Sequence, residues 1–192
     1  MPEDQTQVLV ERAQSDDGAA FAALYDVFAP RLYRFFRFRV PAAEAAEDLT
    51  QRVFVKMIEQ LPNYEPRGIP FAAWLFRVAR NAWIDESRTT RPLVPIDLFH
   101  DSPADSSGPD DLAAAAIEAE QLRTATEALP TDQREVIACR FFAGLTCRET
   151  AAQMGRSEGS VRVIQHRALK TLRRRLPGLS RATDAGAEVS AL

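Results

Sequence analysis

LPTDQREVIACRFFAGLTCRETAAQMGRSEGSVRVIQHRALKTLRRRL, residues 129–176, decides the fold of this chain, because it sets helix signals around two glycines at the spacing of a helix-turn-helix. A first helix enters through Thr131 or Asp132 and closes at Gly144; Val136, Ile137, Cys139, Arg140 and Phe141 leave its apolar side mixed rather than clean. Thr146-Cys-Arg-Glu149 has the form of a capping box, in which hydroxyl and carboxylate each satisfy an amide that the helix start leaves free. The short helix it opens ends at Gly155, and Ser157 is the N-cap of a long helix that Pro177 and Gly178 stop. On a helical wheel Val161, Ile164, Ala168 and Leu172 fall on one side, whereas Arg162, His166, Lys170 and Arg173 fall on another, with Val163 and Arg167 beside them. A second helix with a basic outward face is what entry into a DNA major groove requires, because Arg and Lys engage guanine edges and phosphates. The bland alternative is a solvated charged helix in an ordinary bundle; the capping box, the turn glycine and the basic excess together favour DNA.

Net charge by itself opposes that reading, since the chain carries −3 over 192 residues and phosphate contacts need clustered cations. The charge is segregated, however. Between Arg91 and Arg123 there is no Lys or Arg, while Asp97, Asp101, Asp105, Asp110, Asp111, Glu118 and Glu120 are negative. From Glu158 to Arg175 the balance reverses, with Arg162, Arg167, Lys170, Arg173, Arg174 and Arg175 against the single acid Glu158.

Outward from this segment the chain divides by composition. RPLVPIDLFHDSPADSSGPDD holds four prolines and no helical period, so it predicts an extended, mobile tether. Before it, Asp16 and Asp17 offer helix starts and Phe21, Leu24, Tyr25, Phe28, Leu32, Phe35 and Phe36 recur at helical spacing, with Pro30 a kink or break. A second helix from about Ala43 to Leu61 repeats Leu49, Val53, Met57 and Leu61, and PNYEPRGIP ends it. A third runs from Phe71 to about Arg88. Along it Trp74, Arg77, Asn81, Asp85 and Arg88 form one stripe beside an apolar one of Phe71, Leu75, Val78 and Ala82. An indole heading a polar stripe can stack on an unpaired base while cations hold phosphates. The competing reading is that Trp74 and Trp83 are simply core. No segment alternates with period two, so the class is all-α: two small helical domains, residues 1–91 and 113–178, joined by a flexible acidic linker at 92–112 and followed by a disordered tail at 179–192.

Several function classes are disfavoured. No stretch approaches the roughly 20 apolar residues of a membrane span, and MPEDQTQ lacks the form of a signal peptide, so the cytoplasm is the expected compartment. Cys139 and Cys147 form no CxxC, and the only histidines, His100 and His166, lie in the linker and on the basic helix. The expectation is reduced cysteines, no metal, no cofactor and no enzyme: there is no Gly-rich phosphate loop, no HExxH and no nucleophile beside a base.

Three segments resemble the extracytoplasmic-function sigma factors, the small two-domain sigma factors of bacterial RNA polymerase. EDLTQRVFVKMIEQLPNY is similar to the family's helix that docks on the polymerase clamp, PFAAWLFRVARNAWIDESR to its helix for the −10 promoter element, and ALPTDQREVIACRFFAGLTCRETAAQMGRSEGSVRVIQHRALKTL to its −35-binding helix-turn-helix. The resemblance implies that Asp48, Gln51, Phe54 and Lys56 face core polymerase. It implies that Arg67 and Gly68 lie near a flipped base, that Trp74, Arg77 and Asn81 serve strand opening, and that Asp85 and Arg88 lie toward the upstream edge of the element. Ser157, Glu158, Ser160, Arg162, Val163, His166, Arg167 and Lys170 would approach the −35 duplex. Implied partners are the clamp and flap regions of core polymerase, duplex DNA at −35, single-stranded DNA at −10, and an anti-sigma factor. Two departures stand out: Arg52 occupies a place where the family commonly has an acid, and Val163-Ile164 replace a frequent Ser-Arg pair. Val163 offers only apolar contact, for instance to a thymine methyl, which shifts the expected −35 preference. The alternative function is a dimeric helix-turn-helix regulator binding operator DNA, which would not need the DLTQ and WLFRVARN segments.

Overall fold

The computed structural model describes residues 3–40, 42–66, 68–89, 121–122 and 124–176, and every regular element among them is helical. The helices are α1 (Glu3–Gln14), α2 (Gly18–Arg37), α3 (Ala43–Gln60), α4 (Phe71–Thr89), α5 (Thr131–Ile137), α6 (Cys147–Met154) and α7 (Glu158–Arg175). A 3-10 turn, Leu61–Asn63, extends α3, and a π turn, Ala138–Phe142, extends α5. The expected linker, with His100, and the expected tail lie outside the described residues.

The chain forms two compact units, one built from residues 1–96 and 138–161 and the other from 97–137 and 162–192. In the first, α1 packs on α2, α2 on α3, and α3 on α4. Its core follows the periodicity in the sequence: Leu24, Phe28, Leu32, Phe35 and Phe36 of α2, Leu49, Val53 and Met57 of α3, and Phe71, Leu75 and Phe76 of α4 are all buried. Each such side chain contributes about 1.5 to 3 kcal/mol by leaving water. Edge-to-face contacts between Phe35 and Phe76 at 5.3 Å and between Phe28 and Phe71 at 5.5 Å tie α2 to α4.

Asp17 starts α2 by accepting from the amides of Ala19 and Ala20, whereas Asp16 takes a left-handed φ of 61° in the turn before it. The Arg12 side-chain hydrogen bond, and then the Ala20 amide, hold the Asp17 carboxyl below its ordinary range. A depressed carboxyl stabilises above its unfolded pKa, so this cap is intact at neutral pH and is lost as the pH falls through the lowered value. Of the kink or break that the sequence suggests at Pro30, the break does not occur, since α2 runs on through it. Buried side chains on both sides of it, Phe28 and Leu32, hold the two halves in one helix, and Pro30 itself is exposed.

Residues 138–161 join the first unit through arginines of α2. The Arg31 guanidinium donates to the carbonyls of Ala143 at 2.8 Å and Gly144 at 3.2 Å, and Arg34 donates to that of Phe142 at 3.3 Å. Those are carbonyls that a helix end leaves without amide partners. Phe38 stacks on Phe142 with ring centroids 4.3 Å apart, and Ala138, Cys139, Ala143 and Leu145 share the core with α2, α3 and α4. Burial pushes the Arg31 guanidinium below its ordinary pKa, and nearby Glu149 opposes the shift. The sequence signals predict a helix that runs to Gly144. Instead its last turn widens, with the Ala143 amide bonding to the Ala138 carbonyl at 2.9 Å, and Gly144 at φ 62° lets the chain reverse.

The capping box is present in full: the Glu149 amide donates to the Thr146 hydroxyl at 3.1 Å, and the Thr146 amide donates to the Glu149 carboxylate at 2.6 Å. Gly155, in the left-handed region, closes α6, and the Ser157 hydroxyl accepts from the Ser160 amide at 3.2 Å at the start of α7. Thr146→Ala removes one half of the box and is expected to cost about 1 kcal/mol, read as a lowered midpoint in urea unfolding with the slope unchanged. In the second unit Arg134 plays a similar part for residues 124–127, donating to the carbonyls of Thr126, Glu127 and Leu129.

Candidate nucleic-acid interface

The candidate interface is built on α4 and the segment that leads into it. Phe71, Leu75 and Ala82 face the core, while Arg77, Asn81 and Asp85 are exposed, so the two stripes seen in the sequence separate into an inner and an outer face. Trp74 stands between the two readings of it. The indole is half-buried, resting on Tyr64 at 4.8 Å and Phe71 at 5.4 Å, with its remaining surface open. Trp83 is also half-buried, with the Arg39 guanidinium over its ring at 5.3 Å. Arg39 lies closer still to Phe35, at 3.5 Å. Gly68 adopts φ 74° with open space around it, so the loop needs a glycine there for its backbone and not for room. Arg67 and the side chain of Arg88 lie outside the described residues. Arg77 is exposed and donates to the carbonyl of Ala152 at 2.7 Å.

The second surface is α3. Asp48 and Gln51 are exposed and Lys56 is partly so. Phe54 is 4% exposed, its ring 4.6 Å from that of Tyr25 and 6.5 Å from that of Phe21. It therefore backs the surface from inside, and the apolar groups that reach solvent nearby are Tyr25, Val55 and Ile58. Tyr25 departs from the expectation that placed it in the periodic apolar stripe of α2, because it falls at the edge of that stripe and reaches solvent beside Phe54, and nothing in the sequence pattern marks Ile58. Arg52, the departure from the family pattern, forms ion pairs with Asp48 at 3.5 Å and with Glu86 of α4 at 2.8 Å. The basic residue thus joins the two candidate surfaces.

On α7, Arg162, Val163, His166, Arg167 and Lys170 are exposed, Glu158 and Ser160 are partly so, and Ser157 is the exposed cap. Val161, Ala168 and Leu172 are buried and Ile164 is half-buried, which fits the expected packing side. His166, Leu169, Lys170, Arg173 and Arg174 line one shallow depression along α7. Neither cysteine is in a disulfide; Cys139 is buried, 3.7 Å from the Gln153 side-chain oxygen, and the Cys147 thiol contacts the Glu158 carbonyl at 3.5 Å. Among the described residues no helix is long and apolar enough to cross a membrane.

A helical core-bearing region followed by a helix-turn-helix defines a class. Residues 24–92 match the Sigma-70 region 2 family and residues 126–174 match the Sigma-70, region 4 family. The chain is 36% identical over 186 residues to the ECF RNA polymerase sigma factor ShbA of Streptomyces griseus subsp. griseus, covering 90% of this chain and 97% of that protein. It is 34% identical over 171 residues to the ECF RNA polymerase sigma factor BldN of Streptomyces coelicolor, a match over 88% of this chain that spans 65% of the relative's length. The structure of CnrH in complex with the cytosolic domain of CnrY superposes with a TM-score of 0.68 at 26% identity, covering 88% of this chain and 96% of that one. The chain belongs to the ECF RNA polymerase sigma factor family, whose members are promoter-directing subunits of RNA polymerase.

Proposed function

We propose that this chain binds core RNA polymerase in the cytoplasm, directs it to promoters with −35 and −10 elements, and starts strand opening, with all bond chemistry left to the polymerase. The observation that carries this reading is the outer face of α4, where a half-exposed indole on an aromatic bed heads a row of Arg77, Asn81 and Asp85. Such a face suits stacking and hydrogen bonding to unpaired bases. In this reading residues 1–91 are the core-binding and −10 domain, with Arg67, Gly68 and Arg88 completing the single-strand site. Asp48, Gln51 and Lys56 meet the polymerase clamp with Phe54 behind them. Residues 113–178 are the −35 domain, engaging the major groove through Ser157, Glu158, Ser160, Arg162, Val163, His166, Arg167 and Lys170. Residues 92–112 are the acidic tether and 179–192 a tail. An anti-sigma protein is the regulator that the family resemblance implies, and the CnrH structure, solved with the cytosolic domain of CnrY, supports a protein partner of this kind.

The test is transcription from a pool of promoter fragments by purified core polymerase, with and without the chain, read by sequencing the transcripts. Defined start sites only in its presence are expected. Absence of such sites, with no association with core but a shift of duplex DNA by the chain alone, would replace this reading with an operator-binding regulator.

A further inference from the structure

We propose that Gln14 and Tyr64 are positioning residues for the capture of unpaired promoter bases, tying the end of α1 to the loop before α4 and fixing the seat of Trp74. The inference rests on the single-strand role of Trp74 proposed above. Gln14 is the last residue of α1, and its side-chain amide donates to two carbonyls, Leu61 at 2.9 Å and Tyr64 at 2.8 Å. Leu61 opens the 3-10 turn and its carbonyl also accepts from the Tyr64 amide at 3.0 Å, while Tyr64 is the residue at which the turn ends, so Gln14 holds the turn at its first and last residues. The direction in which the chain leaves α3 is therefore set by a residue from another helix, one that lies ahead of the matched region 2.

Tyr64 then acts at both ends of the loop. Its carbonyl is held at the entry by Gln14, and its hydroxyl donates to the Ile69 carbonyl at 3.3 Å at the exit. Between these points the Ile69 amide closes a turn onto the Pro66 carbonyl at 2.6 Å, with Gly68 in the left-handed region. The ring, 8% exposed, lies against Trp74 at 4.8 Å and against Phe71 at 5.5 Å. Burial pushes the phenol pKa up to about 12, so the hydroxyl remains a donor across the physiological range. One side chain thus closes the loop that holds Gly68 and supports the indole that the loop flanks. An indole held between Tyr64 and Phe71 has already lost rotational freedom on folding, so a base that stacks on it does not have to order it.

The experiment uses holoenzyme assembled with wild type, Gln14→Ala, Tyr64→Phe or Trp74→Ala, and measures binding of a fluorescent non-template single strand from a promoter found in the transcription experiment. Binding to core and to the −35 duplex is measured alongside. Gln14→Ala and Tyr64→Phe are each expected to weaken single-strand binding about three- to tenfold, the size of one or two lost hydrogen bonds, with core and −35 affinities within twofold of wild type. Tyr64→Phe keeps the ring and so tests the loop clamp without disturbing the core. Single-strand affinity unchanged in both variants while Trp74→Ala loses it would overturn the positioning role alone. An equal loss of core and −35 affinity would also overturn it, since the residues would then serve only folding. No loss with Trp74→Ala would instead overturn the base-capture reading, and this inference with it.

Discussion

Trp74→Ala is expected to slow promoter opening by the holoenzyme about ten- to a hundredfold, as base stacking on an aromatic side chain is worth about 1 to 3 kcal/mol. The measurement is permanganate reactivity of unpaired thymines against time, with core affinity determined in parallel. Core affinity is expected to hold, because the indole belongs to α4 whereas the exposed polar residues assigned to polymerase lie on α3. Truncation also removes packing, but Trp74 is only half-buried and Phe71 and Tyr64 still pack on each other at 5.5 Å, so the cost to folding is smaller than that of a core aromatic. A loss of opening without a loss of core binding separates base capture from assembly. Trp74→Phe, which keeps a smaller ring, is expected to fall between the two.

Arg31→Ala is expected to loosen residues 138–161 by about 2 to 3 kcal/mol, the size of charge-assisted hydrogen bonds whose carbonyl partners lose their donors. Amide hydrogen exchange in α6 should then accelerate about 30- to 150-fold while the amides of α3 keep their protection. The guanidinium also lies over the rings of Phe28 at 5.0 Å and Phe76 at 5.6 Å, so its removal exposes part of the α2 and α4 packing as well. Arg31→Lys should recover only part of the loss. A single ammonium cannot reproduce the planar fork that reaches the adjacent carbonyls of Ala143 and Gly144. Exchange in α6 at the wild-type rate in both variants would show that Phe38, Phe142 and the shared core hold this segment without the arginine.

These two expectations differ in how far the sequence alone could have supplied them. The stripe of α4 was legible, because a helix of this length places every third or fourth residue on one face and Trp74, Arg77, Asn81 and Asp85 keep that interval. So were the capping box of Thr146 and Glu149 and the turn at Gly155, since each is a local bond pattern fixed by residue types a few positions apart. The resemblance to sigma factors, carried by those same segments, agrees with the region 2 and region 4 matches and with the helical fold. The Arg31 contacts were not legible: residues more than a hundred positions apart meet through backbone carbonyls, which leave no mark in side-chain pattern. For the same reason composition alone gave no hint that residues 138–161 pack into one unit with residues 1–96. Phe54 shows a subtler limit. Its assignment to the polymerase face came from the family, while its burial against Phe21 and Tyr25 depends on how α2 and α3 pack. Arg52 shows the reverse, since a departure from the family pattern becomes intelligible once Glu86 is seen beside it.

The joint between α6 and α7 is set by Thr146, Glu149, Gly155 and Ser157, through bonds to backbone amides and one left-handed residue. Of these, only Ser157 lies among the positions assigned to the −35 duplex. Replacing Val163 or Arg167 leaves those bonds in place, so on the proposed −35 role a change at either position is expected to be read in binding rather than in the capping of these helices. On that role, a copied gene could alter the exposed positions of α7 one at a time while the caps that start and end these helices stay as they are. Promoter preference would then be open to drift between copies of such a gene without a change in the parts that hold the fold.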